Sequence, residues 1–89
     1  MSKVYLFMKF DVADFAKWQV VYDNHLFARQ QFKLKDLYVL RNIENQNNVT
    51  ILLEVEDVER AKRFLASEDL HSKVKESGVV GELTCEFLT

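Results

Sequence analysis

Hydrophobic and polar positions alternate through Lys3–Phe10, with Val4, Leu6, Met8 and Phe10 on one side and Tyr5, Phe7 and Lys9 on the other. A period of two predicts a strand. The period then changes. Phe15, Trp18, Tyr22, His25 and Arg29 recur at steps of three and four, which places them on one face of a helix predicted from about Asp14 to Phe32. Asp11-Val-Ala-Asp14 starts it, with a carboxylate for the cap and for the positive end of the helix dipole. Leu37–Ile43 and Val49–Glu56 read as second and third strands. Between them lies Glu44-Asn-Gln-Asn-Asn48, a hairpin link because Asn tolerates left-handed backbone. Asp57 or Glu56 caps a second helix carrying Val58, Ala61, Phe64 and Leu65, and Ser67 reads as a fresh cap before Leu70 and Val74. Gly78 and Gly81 bracket the exit to a fourth strand, Glu82–Leu88, with Leu83, Cys85 and Phe87 facing one way.

The order β-α-β-β-α-β predicts an α+β, ferredoxin-like single domain over residues 1–89, a four-stranded antiparallel sheet with its helices on one face. If Val49, Ile51, Leu53, Val55, Leu83, Cys85 and Phe87 lie under the helices, the opposite face carries Tyr5, Phe7, Leu52 and Leu88 among Thr50, Glu54, Thr84 and Glu86. A water-facing sheet should be mostly polar. This face is apolar enough to take a second sheet, and if the partner is the same chain the product is a two-fold homodimer. Arg41 alternates with Val39 and Ile43. It is expected either in an intersubunit salt bridge or at a solvated strand end.

Composition supports an association of this kind. The 89 residues are 48% hydrophobic and 12% aromatic, with seven Phe, three Tyr and one Trp, more large apolar surface than so small a globule readily hides. The net charge of −2 and scattered basic residues argue against nucleic acid and anionic membrane as partners. One cysteine, Cys85, allows no internal disulfide and no thiolate metal site, and its alternation predicts a small buried group. The apolar run Val4–Met8 is too short for a signal peptide or a membrane span. A cytoplasmic protein is expected.

The helix-one stripe is where chemistry would lie. Phe15 and Trp18 are core or pocket-wall residues. Tyr22 points its hydroxyl into the pocket or out to water. His25 is a proton carrier, a satisfied core-edge histidine or, as the least favoured reading, an axial haem ligand. Arg29 pairs with a carboxylate, reaches to solvent or holds an anionic substrate. Asp23 points away from His25 and is no partner for it. Ala16, Val20 and Phe27 form a second strip, expected against helix two or its loop. His71 is expected to be solvated. No catalytic triad and no cofactor or metal site is read from the sequence.

Phe15-Ala-Lys-Trp18 leading to Tyr22-Asp-x-His25, Val55-Glu-Asp-x-Glu-x-Ala61, and Ser67-x-x-Leu70 continuing to Ser77-Gly-Val79 resemble the dimeric α/β-barrel superfamily. That group includes antibiotic-biosynthesis-type monooxygenases and small polyketide cyclases. The resemblance spans the whole chain. It implies two sheets facing across a dimer and a pocket between each sheet and its helices. Lys33 departs from it, since relatives often place a Gly there for a left-handed cap. Other functions on this element order need residues that are missing. Asn48-Val-Thr-Ile-Leu-Leu-Glu54 lacks the basic and aromatic side chains of an RNA-binding strand, no Cys pair follows strand one, and Asp11-Val-Ala-Asp14 is no phosphate loop. An amino-acid-binding regulatory domain usually has a Gly-containing turn after strand one, and none is present. The expected function is binding of a small apolar or aromatic molecule against Phe15, Trp18 and Arg29, with His25 and Tyr22 as the proton-handling pair. The alternatives are a cofactor-independent monooxygenase or cyclase, or a purely structural or regulatory homodimer.

Overall fold

A computed structural model describes residues 3–89 of the chain. Its elements run β1 (Val4–Val12), α1 (Phe15–Asn24), α2 (Leu26–Gln31), β2 (Leu34–Arg41), β3 (Asn48–Val55), α3 (Val58–Ala66), α4 (Glu68–Glu76) and β4 (Val79–Leu88). The strands form one antiparallel sheet in the order β2-β3-β1-β4, the ferredoxin-like arrangement with helices on one face. Leu6 pairs with Leu53, Met8 with Ile51 and Phe10 with Val49. All six are buried, and with Trp18, Leu34, Ala61 and Phe64 they make the core.

Side chains cap the helices where the sequence places them. Asp14 accepts from the Lys17 amide, Asp57 from that of Arg60, and Ser67 from that of Leu70. Each satisfies a first-turn N–H that has no intrahelical acceptor. Ser67 has extended backbone (φ −72°, ψ 144°) and so separates α3 from α4.

Three features depart from the sequence reading. The single helix expected over Asp14–Phe32 breaks at His25 (φ −99°, ψ 11°), whose N–H closes a tight turn onto the Tyr22 carbonyl at 3.1 Å. Strand β2 begins at Leu34 and carries a bulge between Asp36 and Tyr38. The extra residue keeps Asp36 on the helix side together with Val39 and Arg41. The third departure is at the edge strand, where Cys85 is exposed despite pairing with buried Met8. An edge strand is covered on one side only, so alternation there does not ensure burial.

Arg41 takes the second of its two expected places, exposed at the end of β2. It lies on the helix side of the sheet, where its guanidinium stacks at 3.8 Å on the Phe15 ring and its Nε donates to the Gln46 carbonyl at 2.8 Å. A further expectation is corrected. Ala16, Val20 and Phe27 do not meet helix two: all three are exposed, Phe27 by 71%. His71 is exposed, as expected, and bonds the Leu65 carbonyl. Lys33 adopts φ +62°, so the left-handed turn is made by a residue with a Cβ, at a cost of about 1 kcal/mol.

Candidate functional site

A cavity of about 60 Å³ lies between the helices and the inner face of the sheet. Met8, Phe10 and Ile51 form its floor, Trp18 and the Tyr22 ring one wall, and Leu70, Lys73 and Val74 of α4, with Ser77 at its C-terminal cap, the other. These positions follow from local rules. Floor residues are alternate strand positions, and Leu70, Val74 and Ser77 repeat at helical spacing. The lining is almost wholly apolar. His25, Arg29, Lys73 and Ser77 are the main polar side chains that reach it.

His25 is buried at the break between α1 and α2, its ring stacked at 5.8 Å on Phe64. Nε2 lies 2.7 Å from Oδ2 of Asp69, on α4. That bond holds the Asp69 carboxyl below its usual range. An ionised carboxylate only accepts, so the imidazole donates its Nε2–H, and a neutral ring carries its lone pair on Nδ1. Nδ1 bonds none of the described residues and is open to solvent, since no buried side-chain nitrogen or oxygen among them lacks a partner.

Arg29 is 3% exposed. Its Nε and Nη2 donate to the two oxygens of Asp36 at 2.9 and 3.0 Å, and its Nη1 donates to the Tyr22 carbonyl at 2.7 Å. The guanidinium also lies 3.7 Å from the centre of the Tyr22 ring, which stacks on Trp18 at 4.8 Å. The Tyr22 hydroxyl donates to Asp36 at 3.2 Å. Three of the five guanidinium N–H groups are thus committed within the protein. The cation closes one end of the cavity as a fixed structural group.

Of the residues singled out in the sequence, the structure brings His25, Trp18, Arg29 and the ring of Tyr22 to one cavity. Phe15 does not line the space: of its two expected places it takes the core one, packed behind Trp18 (ring centres 5.6 Å apart) under the Arg41 guanidinium. Asp36 and Asp69 went unrecognised. Asp36 lies just before the expected start of its strand, and Asp69 reads as an ordinary first-turn acid, 44 positions from His25. No local pattern marks either contact. Among the described residues, no three His, Cys, Asp or Glu side chains gather as a metal-binding group, and no helix is long and apolar enough to cross a membrane.

Burial, ahead of the opposing pull of Arg29 and the push of Asp36, raises the Tyr22 hydroxyl well above the ordinary phenol range. A folded-state pKa above the unfolded value gives stability that is complete below about pH 10 and fades as pH rises toward the folded value. Urea unfolding at pH 8 and 11 should therefore show the wild type losing up to about 1 kcal/mol more than Tyr22→Phe. Equal losses in the two proteins would mean that Tyr22 ionises freely in the fold.

No family model and no curated protein matches the sequence. Solved structures do. One is a protein from Bordetella bronchiseptica assigned provisionally as an antibiotic biosynthesis monooxygenase (TM-score 0.79, 14% identity, covering 100% of this chain and 97% of that one). Another is SnoaB, a cofactor-independent oxygenase from Streptomyces nogalater (TM-score 0.73, 15% identity, 100% and 93%). A conserved protein from Methanosarcina mazei Go1 is also similar (TM-score 0.75, 14% identity, 99% and 92%). At these identities the likeness is one of architecture, and it extends over the whole chain. The chain has the ferredoxin-like fold of the antibiotic-biosynthesis-monooxygenase-like proteins.

Proposed function

We propose that the protein binds a small, flat, largely apolar molecule in the cavity beneath α1 and α4, and that His25 exchanges a proton or hydrogen bond with it. One observation carries this reading: an almost wholly apolar space bordered by an imidazole whose Nε2 is held by Asp69 and whose Nδ1 is left to solvent or a ligand. Trp18 supplies a flat wall and Arg29 a fixed positive end. Tyr22 contributes its ring, since its hydroxyl is engaged by Asp36. Two such chains would pair through the outer sheet face, where Tyr38 and Leu40 are 60% and 54% exposed.

A second reading makes the same pocket an enzyme site for cofactor-independent oxygenation or cyclisation. The similarity to SnoaB favours it, and in it His25 would take a proton from a bound substrate. A structural or regulatory homodimer without a ligand is the competing view.

Trp18 is the sole tryptophan and lines the cavity, so its emission reports occupancy. Titration with phenol, with excitation at the red edge of indole absorption, should give a saturable change with a midpoint at or below about 1 mM, close to −4 kcal/mol. Linear collisional quenching, with no saturation at about ten times that concentration, would leave the cavity without this role.

A further inference from the structure

The cavity, at about 60 Å³, is well below the ~150 Å³ that admits a benzene ring. An aromatic ligand enters only if a wall moves. The floor cannot do so easily, because Met8, Phe10 and Ile51 belong to the buried core on the two central strands. The α4 wall is different. No residue of α4 itself is buried: Leu70 and Val74 are only partly so, and only Ser77, just past the helix end, is buried. The helix is bounded by extended backbone at Ser67 and by Gly78 at φ +85°.

The side-chain bonds of α4 point the same way. His71 reaches back to α3, Lys73 pairs with Glu76, and the Ser77 hydroxyl donates to the Val74 carbonyl. Among the described residues, the 2.7 Å bond from His25 to Asp69 is the only side-chain hydrogen bond joining α4 to α1, α2 or the sheet. It ends on an imidazole held between two helices and against Phe64, so its inner anchor is rigid while its outer one, Asp69, is 64% exposed.

We propose that α4 is a lid over the cavity and that Asp69 is its latch, a positioning residue that fixes the His25 ring when closed and frees the α4 wall when its bond breaks. As a means of admitting a ligand this rests on the function proposed above. As a motion of the ligand-free protein it does not, and it is tested in that state.

The measurement is amide hydrogen exchange across Leu70–Glu76, compared with amides of β1 and β3, in four proteins: wild type, Asp69→Ala, His25→Phe and the double variant. His25→Phe keeps a ring against Phe64 and removes both nitrogens. A net hydrogen bond of about 0.5–1.5 kcal/mol corresponds to roughly a two- to twelvefold change. Each single variant should speed exchange in α4 by about threefold or more relative to β1 and β3. The double variant should match the faster single one within about twofold, since one bond can be lost only once.

Asp69 also lies in the first turn of α4, where its charge favours the helix N-terminus. That role alone would leave His25→Phe without effect on α4 and make the two substitutions additive. Additive effects, a change below threefold, or equal acceleration in α4 and the central strands would each overturn the latch. If the exchange pattern holds while phenol fails to bind, the lid stands and the proposed ligand function falls.

Discussion

Asp36→Ala is expected to lower stability by about 3 kcal/mol, which for a chain of this length is a fall in Tm of roughly 12–24 °C. Arg29 is almost wholly shielded from water and receives its compensating charge from Asp36 through two short bonds. Truncating the carboxylate leaves a buried guanidinium held only by the Tyr22 carbonyl and ring. The side chain of Asp36 is itself about one-third exposed (34%), so water can partly replace it, and the loss falls at the low end of the ~3–5 kcal/mol seen when buried pairs are broken. The double replacement Arg29→Met, Asp36→Leu removes both charges and should regain most of that stability. Urea unfolding at neutral pH checks both. A loss below about 1 kcal/mol, or a double variant no better than the single one, would show that the pair is solvated.

The second large effect concerns assembly. Light scattering at micromolar protein should return about twice the 10.5 kDa chain mass, and Leu52→Arg should return the mass of one chain. Leu52 sits on the outer face of β3, paired with Phe7 on one side and Tyr38 on the other. A guanidinium there would be desolvated by a second sheet but is hydrated on a free one. Tyr38→Lys is the companion variant, because its side chain is largely exposed and the fold does not depend on it. A monomeric wild type, or dimers that survive both substitutions, would rule out pairing through this face.

The fold is legible in the sequence because its signals are local and repeat. Alternation in β1 and β3 fixes which side is buried, and Asp14, Asp57 and Ser67 mark three helix starts through their own side chains. The site is legible only where it follows such a repeat. Trp18, Tyr22, His25 and Arg29 share a helical stripe and do meet at one cavity. What the pattern hides are two irregularities. A break at His25 turns its ring toward α4, and a bulge after Asp36 keeps that carboxylate under the helices. Each brings in a partner from distant sequence, and no periodicity encodes a contact of that kind. Alternation also overstates burial at the sheet edge, as Cys85 shows.

The two sides of the cavity differ in what a substitution costs. Replacing Met8, Phe10 or Ile51 disturbs the core that keeps the chain folded, a penalty of several kcal/mol for loss of a large side chain. Lys73 and Val74 on α4 lie outside that core, so changes there reshape the pocket at little risk to folding. A lineage carrying this scaffold could therefore exchange one ligand for another by drift along a single short helix, with the sheet left untouched.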